Sequence, residues 1–350
     1  MTSIYLVEEK GLHNDYSPIV NEIISINPDK IICLCMNEVD AQLIFRTFFD
    51  KIKPWLKNNN KIINLVVPHL NNIFIEEGIK AERTYGYILQ HFLNNYFFEE
   101  LLPSVLPPQY MHLHNTTNLL YTCYNRRNEV ARAMLVDALV RENILHYGIV
   151  TYHEPIDATW KYHNGERLKD ELDYEFNPID MRYTPSKCPA SMMRGFFDIV
   201  TESRYGPGEY FITEKTLKSI MFLRPFIAFS STGYNTEYLA KYIGLELYDE
   251  MFNYDFDSCD SLEERVDGII NNVITLKNKI PDTATKHSMY KKLIPKLIRN
   301  RNKIVDIFFD KTRIVPDCLQ ILMSGENYTL HGCTNHFLLA HMRKMEWITE

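Results

Sequence analysis

The sequence predicts an α/β protein built as two Rossmann-like domains facing across a cleft. Three observations predict it. Short apolar, β-prone runs alternate with amphipathic helical stretches, the alternation restarts after a cluster of three prolines, and 350 residues exceed what one core ordinarily holds.

In the first half, Ile4 to Val7, Ile31 to Met36 and Ile62 to Val67 are apolar runs of strand length. Between them, Tyr16 to Ser25 carries Ile19, Ile23 and Ile24 at helical spacing. Asp40 to Lys57 sets Leu43, Ile44, Phe48 and Ile52 on one face and stops at Asn58, Asn59 and Asn60. Thr84 to Leu102 is a long aromatic-rich helical segment, and Pro103, Pro107 and Pro108 then break the chain. Residues 1–115 are accordingly the first domain.

The pattern then starts again. Asn118 to Cys123 reads as a strand, Tyr124 to Asn128 as a polar turn, and Glu129 to Glu142 as a helix with Val130, Met134, Leu135, Ala138 and Leu139 inward. Ile149 to Tyr152 is the next strand, and the polar stretch from Glu154 to Cys188 a long connection or surface insertion. Phe196 to Val200 and Pro225 to Ser230 are apolar runs ending on polar residues, as buried parallel strands do where they deliver side chains to a site. Between them Thr213 opens a helix that stops before Pro225. Ser261 to Ile280 and the basic stretch Lys286 to Lys303 are helical. The second domain spans residues 116–310, and residues 311–350 form a tail that packs back on the first.

Composition narrows the classes of function. A net charge of −7 argues against broad, sequence-independent affinity for nucleic acid. The odd, scattered set of seven cysteines suits reduced thiols in a cytoplasmic protein. Cys33 and Cys35 lack the companions that a zinc spacing needs, so no metal is expected. No apolar run approaches the roughly 20 residues of a membrane span, which points to a soluble chain.

The polar residues gather at predicted strand ends and helix starts. Asn125, Arg126 and Arg127 follow one strand and open a helix, where guanidinium groups and main-chain N–H groups face an anion together. Thr213, Glu214, Lys215 and Thr216 open another, offering a cation for phosphate and a carboxylate for ribose hydroxyls. Glu202 closes an apolar run, where a carboxylate must be hydrogen-bonded or lie in a cleft. Ser231 and Gly233 lie in the turn after the second run. Taken singly, an Asn-Arg-Arg turn or a Glu-Lys pair is more often a solvated helix start.

In this order, Tyr-Asn-Arg-Arg at 124–127, Phe-Phe-Asp-Ile-Val-Thr-Glu at 196–202, Phe-Ile-Thr-Glu-Lys-Thr at 211–216 and Arg-Pro-Phe-Ile at 224–227 resemble the C-terminal half of a glycosyltransferase-like family of bacteriophages and large viruses. More distantly the stretch is similar to the donor half of GT-B α1,3-fucosyltransferases, in which a Thr-Glu-Lys segment binds the nucleotide's ribose and phosphates. It covers Leu119 to about Asp257, less the polar connection. Phe211 stands where fucosyltransferases often carry an aromatic hydroxyl, and Ser-Ser-Thr-Gly-Tyr replaces their Gly-rich turn.

The resemblance implies a metal-independent GT-B glycosyltransferase without a cofactor, using a nucleotide-sugar as co-substrate. Its donor residues would be Glu214 and Lys215, with Asn125, Arg126, Arg127, Glu202, Thr213, Thr216, Ser231 and Gly233 as neighbours. It also implies an acceptor on the N-terminal side and a general base at a strand end there, for which Glu38 and His69 are the candidates, beside Glu8 and Glu9. The acceptor is a surface glycan, a protein or a modified DNA base, with nucleic acid the less favoured partner. The rival expectation is a non-catalytic binding or structural protein that keeps the fold.

Overall fold

The computed structural model describes residues 1–8, 15–34, 41–67, 79–83, 119–125, 129–151, 194–206, 210, 212–310, 313, 315, 317–324, 326–333, 337–344 and 346–348. The protein is α/β, with two all-parallel sheets among these residues. The chain divides into two compact units, one of Met1–Leu93 with Ile307–Glu350 and one of Asn94–Asp306. The aromatic segment Thr84 to Leu102 and the connection Glu154 to Cys188 lie outside the described residues.

The first unit carries strands β1 (Thr2–Glu8), β2 (Lys30–Leu34), β3 (Ile63–Val67) and β4 (Ile79–Arg83), with helices α1 (Ser17–Ile26) and α2 (Ala41–Asn59). The C-terminal tail returns a fifth strand, β9 (Tyr328–Gly332), beside β1, so the order is β4-β3-β2-β1-β9. Tyr5, Val7, Ile31, Cys33, Ile63 and Leu65 on the sheet pack against Tyr16 at the N-cap of α1, Val20 and Ile23 within it, and Phe48 and Ile52 of α2. Ile24, expected on the buried face of α1, is 42% exposed. The buried line runs through residues 16, 20 and 23, and one further residue of about 100° carries Ile24 off it.

The second unit holds β5 (Leu119–Tyr124), α3 (Val130–Arg141), β6 (Gly148–Thr151), β7 (Gly195–Thr201), α4 (Glu214–Met221) and β8 (Phe226–Phe229). After β8 comes α5 (Tyr234–Ile243), wound as a π-helix, then α6 (Leu262–Lys279) and α7 (Thr283–Phe309). Val130 is 52% exposed rather than inward, because it lies on the outer face of α3 with Met134, Asp137 and Arg141; Ala131, Leu135 and Leu139 carry the packing.

The strand order β6-β5-β7-β8 is what places a site. From β5 the chain steps to β6 on one side, and then crosses to β7 on the other. The two halves of the sheet therefore diverge between β5 and β7, the switch point at whose carboxyl end open α/β sheets leave a crevice. The helices on either side of it pack on opposite faces. Ser219 of α4 donates to Asp198 beneath it at 2.9 Å, whereas Tyr121 on the other face donates to the Ile144 carbonyl just past α3 at 3.0 Å. Every residue of β7 is buried, as a central strand covered on both faces must be.

Candidate functional site

The carboxyl edge of the second sheet gathers the ends of β5, β7 and β8 and the starts of α4 and α5. At the switch point Thr201 Oγ1 donates to Asn125 Oδ1 at 2.6 Å, and Asn125 Nδ2 donates to Cys123 Sγ at 3.3 Å. Both residues are buried, so they join β7 to β5 beneath the rim.

Glu202 comes next in the chain and is fully buried. Its N–H donates to the Phe229 carbonyl at 3.1 Å, continuing the β7–β8 pairing by one residue. Its carboxylate turns to the α4 face. There Oε1 accepts from the Thr213 N–H at 3.1 Å, from the Thr216 hydroxyl, and from the Tyr234 hydroxyl at 3.2 Å. On the opposite face Arg132 Nη2 donates to the Glu202 carbonyl at 3.0 Å, and Glu129 lies 3.5 Å from the same guanidinium nitrogen. Burial works against the Arg132 charge, but Tyr205, Glu129 and Glu202 around it outweigh that and keep it cationic. Burial likewise pushes the Tyr205 hydroxyl well above the ordinary phenol range.

The eight residues of α4 are too few for a stable isolated helix, so tertiary ties and its cap must hold it. Thr213 is the N-cap, its Oγ1 accepting the Lys215 N–H at 3.2 Å. The Lys215 ammonium lies 3.4 Å from the same hydroxyl, bringing a half-buried cation back over the helix start. Glu214 is the first residue of that helix.

Gly233 closes the β8 turn with φ 77°, and a Cβ there would stand 2.7 Å from the Tyr210 hydroxyl. Its N–H donates to the Asp257 carbonyl at 2.6 Å. Asp257 then caps α5, accepting the N–H groups of Asn235 and Thr236 at 3.1 and 2.8 Å and the Thr236 hydroxyl at 2.8 Å. Ser231 is buried, and its carbonyl accepts from the Tyr234 N–H at 3.1 Å.

The structure thus brings Asn125, Glu202, Thr213, Lys215, Thr216, Ser231 and Gly233, with the helix position of Glu214, to one edge of one sheet. Within that set Asn125, Glu202, Thr213, Thr216 and Ser231 are buried and tied into the protein, while Lys215 reaches the rim. Arg126, Arg127, Glu38, His69 and Glu9 lie outside the described residues. Glu8 closes β1 in the first unit, where the Cys333 thiol donates to its carboxylate at 3.0 Å.

Three groups were missed by sequence reasoning. Asp198, in the middle of an apolar strand, is 3% exposed and receives Arg224 Nε at 2.9 Å on both oxygens and Nη2 at 2.8 Å on one. A carboxylate interrupting an apolar run was the available signal. Tyr234 and Asp257 left none, because the turns that bring them in are set by tertiary packing.

Three of the basic residues of α7 serve local purposes. Lys296 and Arg299 pair with Glu250 and Glu246 at 2.8 and 2.5 Å, and Lys286 donates to the Leu119 carbonyl at 3.3 Å. Lys291 and Lys292 are exposed. Among the described residues no cluster of His, Cys, Asp and Glu is placed to hold a metal ion, and no helix is long and apolar enough to cross a membrane. Comparison with family models, with curated proteins and with solved structures finds no match to this chain.

Proposed function

We propose that this protein is a metal-independent glycosyltransferase of the GT-B type, built of two Rossmann-like domains. It would take a sugar from a nucleotide-sugar held at the carboxyl edge of the second sheet and pass it to a glycan, a protein or a modified DNA base. The observation that supports this most is the start of α4. Thr213, Glu214, Lys215 and Thr216 stand in sequence beside the β5/β7 switch point, where parallel sheets hold nucleotides.

In this reading the Lys215 ammonium and the positive end of α4 meet the diphosphate. They stabilise the charge that grows on it as the bond from the sugar's anomeric carbon to the phosphate oxygen breaks. Glu214 accepts from ribose hydroxyls. The acceptor oxygen forms the new bond to the anomeric carbon, and its proton passes to a base, for which Glu38 and His69 stand as candidates.

The experiment is a thermal-shift and donor-hydrolysis screen of nucleotide-sugars and nucleoside diphosphates, with Lys215→Ala and Glu214→Ala alongside. A ligand at a hundredfold excess over its Kd adds about 2.7 kcal/mol to stability, enough to read as a rise in Tm of several degrees. Stabilisation by one nucleotide, lost in Lys215→Ala, is the expected result. No stabilisation by any of them, or equal stabilisation of the variants, would overturn the donor site. Binding without hydrolysis or transfer would leave a non-catalytic nucleotide-sugar protein.

A further inference from the structure

Glu202 joins the starts of three helices at one strand end. Its carbonyl takes Arg132 from α3 at 3.0 Å on one face of the sheet. Its Oε1 takes the Thr213 N–H and the Thr216 hydroxyl at the start of α4 on the other face, and the hydroxyl of Tyr234, first residue of α5, at 3.2 Å. The Tyr234 and Thr216 hydroxyls are also 3.2 Å from each other, which closes the group. A buried carboxylate is costly, and an apolar side chain of like volume would fill the same space at less cost. What an apolar side chain would not do is accept from two helix starts through one atom.

We propose that Glu202 is a positioning residue. Its side chain sets the first turns of α4 and α5 relative to each other, and with α4 it sets Lys215 and the helix start that meet the diphosphate, while Glu202 itself stays beneath the ligand. The inference rests on the donor reading above and assigns Glu202 a role other than ligand contact. Fully buried, it offers no surface to a nucleotide, yet it determines where the residues that do so stand. Thr216 and Tyr234 act through it, since their hydroxyls converge on the same oxygen.

The test has two arms. In the first, amide hydrogen exchange of the ligand-free chain is compared between wild type, Glu202→Gln and Glu202→Ala. Glu202→Ala is expected to raise exchange about tenfold or more at the first bonded amides of both α4 (Leu217 to Ser219) and α5 (Glu237 and Tyr238), with α3, held by the main-chain carbonyl that the substitution leaves in place, unchanged. Glu202→Gln, which keeps an acceptor oxygen, is expected to restore most of the protection.

In the second arm, affinities for ADP, GDP, UDP and CDP are measured for Thr216→Val and Tyr234→Phe, which keep side-chain volume and remove one hydroxyl each. Each is expected to weaken the nucleotide that wild type binds by about 2- to 10-fold, the span of one net hydrogen bond. Combined with Lys215→Ala, the loss is expected to fall short of the product of the separate losses, because both act through one helix start. Looser exchange confined to one helix would overturn the proposal, as would unchanged affinity in both hydroxyl variants or multiplicative losses with Lys215→Ala. If wild type binds none of the four nucleotides, the donor reading falls, and the exchange arm still decides whether Glu202 sets both helices.

Discussion

Arg132 Nη2 lies 3.0 Å from the carbonyl oxygen of Glu202, so the helix after β5 is fastened to the end of β7 at the residue whose side chain fastens the helix after β7. Arg132 is 2% exposed. Replacing it with Met keeps much of the buried stem but removes the charge-assisted bond, and leaves that carbonyl and Glu129 without the guanidinium. The expected cost is about 1.5–3 kcal/mol in urea unfolding. Arg132→Lys is expected to recover only part of it, because an ammonium lacks the planar fork.

The Asp198–Arg224 pair supports the same strand from below. Arg224 is fully buried and binds both Asp198 oxygens, while its Nη2 also donates to the Gly195 carbonyl at 2.8 Å. Arg224→Met would strand a buried carboxylate with only the hydroxyls of Thr122 and Ser219, at an expected cost of about 3–5 kcal/mol. Adding Asp198→Leu should return a good part of that loss. Chemical denaturation of the two single variants and the double variant measures it, and equal losses in all three would show that the charge is not the cause.

Cys123 sits beneath the switch point, and burial pushes its thiol up to about 12 from an ordinary 9.0. The folded pKa is raised, so the thiol's contribution is fully present below about 9, where the thiol is neutral in both states. It is lost as pH climbs from about 9 toward about 12, where only the unfolded chain ionises. Cys123 and the buried Cys33 are therefore expected to resist a disulfide reagent at pH 8 until denaturant is added, while half-buried Cys259 reacts. Mass mapping of the labelled cysteines reads this directly.

Gly332 tests the return of the tail. Its φ is 76°, and a Cβ there would stand 2.2 Å from the Leu6 carbonyl oxygen, a main-chain atom of β1 that cannot step aside. Gly332→Ala is expected to cost more than about 1 kcal/mol and to loosen β9 from β1. Faster amide exchange at Cys333, whose N–H donates to the Leu6 carbonyl at 3.0 Å, is the readout.

The sequence by itself determined seven of the nine strands among the described residues, though not β4, β9 or the helix α5. Apolar runs from Ile4, Ile31 and Ile62 in the first half, and from Phe196 and Pro225 in the second, are strands because their periodicity is a local property of the chain. Thr213 announced the start of α4 in the same way, through the hydrogen bond its side chain makes two residues on. Strand order is not local. Only the tertiary structure set β5 beside β7, returned β9 to β1, and so fixed the switch point of the second sheet. It also decided that Glu202 lies under the rim and Lys215 on it. Which side of a strand end faces solvent depends on what packs there, and Arg132, Tyr234 and Asp257 arrive from distant parts of the chain.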